Sequence, residues 1–581
     1  MYAHPEAITY YQKVLNLLKE TGDQERAART LMKLGLTYHT AFDYQRSRQA
    51  YEQGFALWQQ AGESLRANTL GAETHLLRAT AIEPLSLDPT ISYTAYDQYI
   101  ISQLFTGLVE LTPELDIVPA IASSWKLLDD GRSYIFHLRD DVHWSDGEAV
   151  TAKDFEYAWM RLLHPATRSP IAELLYDIKG SRAFHQREII DPGRVGVKAY
   201  DDLTLVVELE EPTGYFPYLL SNSSTYPIPR HVVEANGEDW TALDHIVTCG
   251  PFTLEAWQRG HSMMLMRNSD YFGQFNGNLS RVELSLIADP AASLELYATD
   301  DLDIFDLRVL QPSERDRARQ KYAGEYVSGP ELATYYIGFN LSQAPFNDRL
   351  VRQAFAHATD RQTLADVTMR GYEYPANGGY VPPGMPGHSP GIGLPYDPEL
   401  ARQLLAAAGY PDGRGFPAVQ ALTHQEHEFE CACLKTQWLQ NLGIDITWKV
   451  MAFSEFYRLV EDESANISHF GWVADYPDPD NFLRVSLPTD LYKWHHDIYQ
   501  NLLSEARKIT DQEDRMKLYR QADRILVTEA PILPLTYVRR ILLVKPWVKN
   551  LPLTGLVANQ FWKDVIIERK CIEQVSTVNH E

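Results

Sequence analysis

The sequence predicts an α/β protein with mixed sheets that follows a short all-helical segment. From Leu77 onward, short alternating strands such as 134–138 and 203–209 are interspersed with helical runs such as 152–163. Strands and helices that alternate in this way are typical of α/β domains with mixed sheets. The chain has 581 residues, too many for a single hydrophobic core, so we expect more than one lobe.

Residues 1–60 show only helical periodicity, with an internal repeat of about 40 residues. The repeat is visible in three pairs of positions, which are Ala7 and Ser47, Tyr11 and Tyr51, and Val14 and Gly54. This segment resembles tetratricopeptide-type repeats, and it begins at the second helix of a repeat, so we expect a further helix upstream. Residues 61–76, with Gly62 and Gly71, are predicted to form a linker.

About one and a half repeats cannot cover their own apolar flanks, because such arrays usually need three or more repeats. We therefore expect one helical face to remain uncovered. Its residues are Leu31, Leu34, Tyr38, Tyr51 and Phe55. Exposed apolar faces of this kind bind partners, so we predict that residues 1–60 dock on a protein partner or on an upstream domain of the same polypeptide.

The composition narrows the classes of function. The net charge of −25 argues against direct contact with nucleic acid or anionic lipid, and it mildly favours cationic ligands. The four cysteines have neither a disulfide framework nor two-pair zinc spacing. No nucleophile elbow, phosphate-binding loop or zinc-protease motif occurs, so we expect neither an enzyme nor a resident cofactor or metal.

The segment 471–483, GWVADYPDPDNFL, is the strongest candidate for a binding site. A short apolar strand ends at Asp475, Tyr476 follows, and a Pro-Asp turn cluster stops the strand. One carboxylate beside two aromatic rings at the end of a strand suits a small cation in an apolar cleft. The alternatives are that Asp475 is an ordinary helix cap and that Trp472 is a core residue.

This segment resembles the GW-x-ADY-x-(D/E)-P-x-x-FL signature of the oligopeptide- and dipeptide-binding proteins of ABC importers, solute-binding family 5. Other segments resemble the family in the same order along about 500 residues of the chain. They include LRA at 77–79, EPLSLDP at 83–89, LFTGLVE at 104–110, PAIASSW at 119–125, GPF at 250–252, VRQA at 351–354, VPPG at 381–384 and EAPILP at 529–534. The chain is therefore identified as a member of this family, with residues 77–581 as the family domain.

The resemblance implies a two-lobed, periplasmic-binding-protein-like class II fold with an extra inserted subdomain. Lobe I would be built from residues near 77–105, 237–329 and 544–571. The inserted subdomain would span about 106–236, and lobe II about 330–543. Two connections near 329 and 543 would form a hinge, and the lobes would close on a ligand held between them.

By the same resemblance, Asp475 would pair with the α-ammonium of a peptide ligand. Gly471 and Val473 would offer main-chain groups to the extended peptide by strand addition, and Trp472 would wall a side-chain pocket. The turn around Tyr93 to Ala95 would pair with the other edge of the ligand. The implied function is peptide capture for an ABC permease and ATPase, and the alternatives are an intracellular sensor that signals through residues 1–60, or another family ligand such as a nickel chelate or a sugar.

Two features of the sequence stand apart from that resemblance. Relatives are normally exported or lipid-anchored, whereas the N-terminus here has no basic, apolar or cleavage-site region of a signal peptide, so the cellular location is left open. His424, His427 and Cys431 would share one face if they lay on a helix, which suggests a soft-metal site. We favour the simpler interpretation, a solvent-facing helix start without metal.

Overall fold

The computed structural model describes residues 4–40, 43–65, 75–128, 130–286, 289–462, 465–486, 492–509, 512–556 and 562–568. Most of the chain forms a mixed α/β protein, and three helices precede it. These helices are α1 His4–Thr21, α2 Gln24–Thr40 and α3 Tyr44–Leu65. Helix α3 continues into the predicted linker, and the rest of that linker, up to residue 74, lies outside the described residues.

The strands, numbered in chain order, lie in four sheets of the described chain. They are β1 Leu76–Thr80, β2 Val109–Leu111, β3 Ile117–Pro119, β4 Ala122–Leu127, β5 Ser133–Leu138, β6 Val197–Ala199, β7 Thr204–Glu208, β8 Phe252–Gln258, β9 Ser262–Arg267, β10 Arg281–Ser285, β11 Ile304–Asp306, β12 Tyr326–Phe339, β13 Tyr374–Pro375, β14 Ala421–His424, β15 Trp448–Met451, β16 Ile467–Val473, β17 Ile532–Val544, β18 Val548–Lys549 and β19 Ile566–Ile567.

One large sheet runs through both lobes in the order β15-β14-β16-β12-β17-β11-β1-β10-β9-β8, and β13 adds to β17. Its two longest strands, β12 and β17, are antiparallel neighbours. The first half of β12 pairs with the end of β17 that also contacts β11, whereas the second half of β12 lies between β17 and β16. The two strands therefore carry the chain from one lobe into the other.

The pairing of β12 with β17 is interrupted where the strands cross between the lobes. The register shifts between Pro330 and Thr334, opposite residues 537–539 of β17. Where the hydrogen-bond ladder between two strands is interrupted, the strands bend and twist locally. The first crossing lies close to the predicted position 329, and the second lies a few residues before the predicted 543.

A separate antiparallel sheet, β4-β5-β7-β6, forms the core of the inserted subdomain together with the hairpin β2-β3. The helices around both sheets are α4 Ala95–Leu104, α5 Ala152–Leu163, α6 Ser181–His185, α7 Phe216–Leu219, α8 Arg230–Asn236, α9 Pro290–Ala298, α10 Pro312–Lys321, α11 Arg349–His357, α12 Arg361–Thr363, α13 Pro398–Ala407, α14 Glu428–Leu442, α15 Phe453–Glu461, α16 Asp497–Lys508 and α17 Gln512–Glu529. Within the described residues, no helix is both long and apolar enough to cross a bilayer.

The helical face that we expected to be uncovered is buried, and that prediction is wrong. The side chains of Leu31, Leu34, Tyr38, Tyr51 and Phe55 are all less than 9% exposed. Tyr51 and Phe55 pack on Trp125 of β4, with ring centroids 5.2 Å and 4.6 Å away. Leu34 and Tyr38 pack against apolar side chains of α1. Tyr51 and Phe55 find in the inserted subdomain the apolar partner that a further repeat would otherwise provide.

Polar contacts complete the junction between the helices and the inserted subdomain. The hydroxyl of Tyr134 on β5 lies 3.2 Å from Nε2 of His39, and the pKa of His39 is lowered to about 4 because the ring is buried. The ammonium of Lys33 is 3.0 Å from Asp116 at the hairpin. A neutral, buried imidazole and a closed aromatic cluster mark this junction as part of the folded core.

Candidate functional site

The signature segment begins on β16, in the middle of lobe II. Strand β16 pairs antiparallel with β12 from Ala333 to Phe339, and Gly471 lies opposite Tyr335. A Cβ atom on residue 471 would come within 2.4 Å of the Tyr335 ring. Glycine is therefore required at this position because the ring covers the strand there.

Asp475 follows β16 and points into a narrow pocket where the three predicted parts of the domain meet. The pocket is lined by Gln98, Ser102, Asn222, Ser223, Ala474, Asp475 and Leu556. Helix α4 contributes Gln98, the inserted subdomain contributes Asn222, and lobe II contributes Asp475 itself. The lining combines polar, uncharged side chains with the apolar Ala474 and Leu556, and Asp475 is its one charged residue.

Asparagine side chains hold the Asp475 carboxylate. Nδ2 of Asn481 donates to Oδ2 of Asp475 at 3.0 Å, and Nδ2 of Asn222 lies 3.4 Å from Oδ1. Burial raises the pKa of Asp475 above its usual value, while hydrogen bonds from Asn481, Gln98 and Asn222 oppose that rise. None of these groups carries a positive charge, so the ionised carboxylate has no charged partner among its hydrogen-bond donors.

Asn481 also fixes the neighbouring residues of the signature. Its Oδ1 accepts a hydrogen bond from the indole of Trp472 at 2.8 Å and another from the main-chain amide of Asp475 at 3.1 Å. Asn481 opens a wide, π-type helical turn that ends at Val485, a form that is frequent at functional sites. Trp472 is half-buried, packs against the hydrophobic core and donates its indole N–H to Asn481.

Asn481, Gln98 and Asn222 were not among the site residues predicted from the sequence. Asn481 lies inside the segment 471–483, and its position at the end of a turn cluster was a usable signal for a capping or ligand-holding role. Gln98 sits on α4, and Asn222 is 253 residues away from Asp475. No local pattern marks these two residues, because only the tertiary fold brings them to the carboxylate.

The outer edge of β16 is open next to the pocket. Parallel strand β14 pairs with β16 only at Ile467 and Ser468. In the part of the chain that the structure describes, no strand pairs with that edge from His469 to Val473. Gly471, Trp472 and Val473 are half-buried there, so their main-chain groups form an unpaired edge at which an extended chain can add.

The two predicted site residues of lobe I lie on the opposite side of the cleft. The ring of Tyr93 lies 5.1 Å from that of Tyr457 on α15 of lobe II. Ala95 is the first residue of α4, whose N-cap is Thr94, and the first amide of a helix has no acceptor within the helix. Ala95 precedes Gln98 by three residues, so both occupy the same face of α4.

The histidine segment does not form the solvent-facing helix start that we expected. His424 ends β14, and His427, Glu430 and Cys431 are buried at the start of α14. His427 packs between His424 and His469 of β16, with ring centroids 4.5 Å and 4.1 Å away. Because β14 is an inner strand, its end and the following turn face the core.

No group of three or more metal-binding side chains in the described ranges has an arrangement that could hold an ion. Burial lowers the pKa of His424 to about 2 and that of His469 well below its usual value, so both rings are neutral. Both ring nitrogens of His469 are buried without a hydrogen-bond partner among the described residues.

Two buried carboxyl groups lie behind the histidines. Burial raises the pKa of Glu430 to about 7. Burial and repulsion from Glu430 raise the pKa of Glu373 to about 7. Both groups bind protons more tightly in the folded chain than in the unfolded chain, where their pKa is about 4.5. Their contribution to stability is therefore complete below about pH 4.5 and is lost as the pH rises through about 7.

We expect Glu430→Gln to reduce the loss of stability between pH 5 and pH 8. The variant removes one of the two acids that must ionise in the core, which should recover about 1–3 kcal/mol at pH 8. Urea denaturation at both pH values measures this. The buried histidines are present in both proteins and cancel in the comparison. Parallel pH profiles of the variant and the unmodified chain would contradict the assignment.

Comparison with known proteins agrees with this architecture. Residues 116–490 match the bacterial extracellular solute-binding proteins, family 5, and residues 3–60 match a tetratricopeptide repeat. The probable deoxycholate-binding periplasmic protein YgiS of Escherichia coli is 32% identical, over 81% of this chain and 89% of the relative. The periplasmic oligopeptide-binding protein OppA of Escherichia coli is 31% identical, over 83% of this chain and 90% of the relative.

Solved structures show the same fold. The murein tripeptide-binding protein MppA of Escherichia coli has a TM-score of 0.80 at 28% identity, with 86% of this chain and all of that chain covered. The unliganded open form of MppA superposes less well, with a TM-score of 0.64 over similar shares of the two chains. The chain belongs to the bacterial extracellular solute-binding proteins of family 5, and its first residues carry a tetratricopeptide repeat segment.

Proposed function

We propose that this chain binds extended peptides with a free α-amine. The observation that carries the proposal is the Asp475 carboxylate, which lies in an enclosed pocket and has only neutral hydrogen-bond partners. A buried ammonium needs a carboxylate, since an unpaired charge in such a place costs several kcal/mol. The pocket supplies that carboxylate at the end of an open strand edge.

The open edge of β16 would bind the peptide backbone. Alternate residues of the stretch His469 to Val473 direct their main-chain N–H and C=O groups to this edge, and each residue of an added strand advances about 3.3 Å. Strand addition gives affinity that does not depend on ligand side chains. Trp472 on this edge, with Tyr93 and Ala95 across the cleft, would border the ligand.

The charge of the pocket favours peptides over deoxycholate, the ligand for which the relative YgiS is named. Deoxycholate carries a carboxylate, which would meet the negative charge of Asp475 in an enclosed site without a positive charge among its lining residues. Like charges at close range in such a site are unfavourable. A peptide ammonium has the complementary charge.

By analogy with the family, binding serves import without catalysis. The relatives are named as binding proteins, and we propose that this chain delivers peptide to an ABC permease and its ATPase. A second candidate is a ligand sensor, because α2 and α3 are packed on the inserted subdomain and would move with it. Hydrogen exchange in α1–α3 on peptide addition separates the two roles.

We expect N-acetylation of a bound tri- to pentapeptide to weaken its affinity about ten-fold or more. Acetylation removes the charge that Asp475 is proposed to pair and leaves the rest of the ligand intact. Isothermal calorimetry of the free and acetylated peptides measures the difference. C-terminal amidation of the same peptide is the matched control, and deoxycholate is a second probe that should not bind. Equal affinity of the free and acetylated forms would contradict the proposal.

A further inference from the structure

The loop that carries Asp475 is held by the inserted subdomain as well as by lobe II. Tyr476, directly after Asp475, stacks on Tyr215 of the inserted subdomain, with ring centroids 5.2 Å apart and planes 10° from parallel. Both rings are buried. The hydroxyl of Tyr476 lies 3.3 Å from Asp480 of its own loop. An aromatic stack therefore joins the binding loop to the opposite side of the cleft.

A buried carboxylate of the inserted subdomain, Asp177, extends this contact. It accepts a hydrogen bond from the hydroxyl of Tyr215 at 2.7 Å and forms an ion pair with Arg507 of α16. Arg484 of lobe II donates to the same Tyr215 hydroxyl at 3.1 Å and pairs with Asp480 at 2.6 Å. We call Asp177, Tyr215, Arg484 and Arg507 the clasp.

The two arginines of the clasp differ in where their ion-pair partners lie, and this makes the ion pair of Arg507 depend on closure. If the inserted subdomain moved away from lobe II, Arg484 would keep Asp480 as its partner. Arg507 would lose Asp177, which is its only ion-pair partner in the described part of the chain. Asp177 is 3% exposed and would become hydrated on opening. Removing one partner of such a buried pair leaves an uncompensated charge in the closed arrangement.

We propose that Asp177 is a positioning residue that clasps the inserted subdomain to the Asp475 loop and sets the rate at which ligand leaves. The claim that Asp177 sets the rate of ligand release rests on the proposed peptide function. The resemblance to known structures is consistent with a closed arrangement, since the chain superposes on MppA with a TM-score of 0.80 and on its unliganded open form with 0.64. Closure through the clasp would hold Asp475 against the bound ammonium.

The kinetic test uses Asp177→Asn in the full chain. We expect the peptide dissociation rate to rise about ten- to hundred-fold, with the association rate within about three-fold, because ligand enters the open arrangement, in which the clasp is not formed. Tyr215→Phe keeps the stack on Tyr476 and removes the hydroxyl, so a smaller rise is expected. Lys508→Gln removes an exposed ion pair with Glu211 at the same interface, 3.6 Å long, and should change neither rate.

A second measurement needs no ligand. With Cys433 and Cys571 replaced by serine, cysteines introduced at Glu211 and Lys508 can be joined by a short bis-maleimide only when the interface is closed. We expect Asp177→Asn to slow this crosslinking about ten-fold. An unchanged crosslinking rate would overturn the clasp. If peptides do not bind the unmodified chain, the proposed function fails. The crosslinking rate still tests whether Asp177 holds the interface closed.

Discussion

Asp475→Asn is expected to lower the affinity for free-amine peptides at least about a hundred-fold. The substitution keeps the size of the side chain and an acceptor for Nδ2 of Asn481, and it removes the charge. An unpaired ammonium in the enclosed pocket should cost roughly 3–5 kcal/mol, which is two or more decades in the dissociation constant. Isothermal calorimetry with a tri- to pentapeptide pool measures the loss.

The fold should tolerate this change, because burial already raises the pKa of Asp475 and disfavours its charged form. The melting temperature is therefore expected to stay the same or to rise. Asp412→Asn is a matched control, since it removes one negative charge from lobe II at a site that is 71% exposed. If Asp475→Asn binds peptides as tightly as the control does, the carboxylate is not the ammonium site, and the peptide proposal loses its main support.

The part of this site that could be predicted from the sequence is the part that is local in the chain. The strand 467–473, the carboxylate Asp475 and the turn that follows lie within one segment, so their order alone indicates a carboxylate at a strand end. Asn481, six residues after Asp475, is in the same segment and could have been recognised. Such short-range patterns hold because strand alternation and turn chemistry act over a few residues.

The rest of the site depends on contacts between distant segments. Asn222 reaches Asp475 across 253 residues, and Arg507 reaches Asp177 across 330. No periodicity or spacing encodes such pairs. The histidine segment shows the same limit, because the pattern at His424, His427 and Cys431 suits a surface helix. Only the position of β14 inside the sheet puts these side chains in the core.

The error about the helical segment has a similar origin. An unpaired amphipathic face in a sequence predicts a partner, and it does not tell whether the partner lies on the same chain. Here part of the face packs on α1, and the rest packs on the face of β4 and β5 that carries Trp125 and Tyr134. The helices therefore contribute to the stability of the inserted subdomain, which also carries Asn222, Asp177 and Tyr215.

Phe55→Ala is expected to destabilise the full chain by about 3–5 kcal/mol, a range typical of removing a buried phenylalanine. Phe55 is 5% exposed, and its ring lies 4.6 Å from that of Trp125. Trp125→Ala should have a similar effect, because it removes the ring on which Phe55 packs. Urea denaturation followed by tryptophan fluorescence and circular dichroism measures both changes.

The double variant Phe55→Ala/Trp125→Ala tests whether the helical segment packs on the inserted subdomain or folds without contacting it. If the two rings share one interface, the double variant should lose less than the sum of the single losses by about 0.5–3 kcal/mol. Leu17→Ala on α1, at a side chain 63% exposed, should change stability by less than about 0.5 kcal/mol. The opposite outcome has two parts: the losses of stability of the two single variants are strictly additive, and Trp125→Ala costs no more than this surface control. Together they would mean that the aromatic face of β4 is solvated in solution. In that case the helices would be free to bind another partner, as the sequence alone suggests.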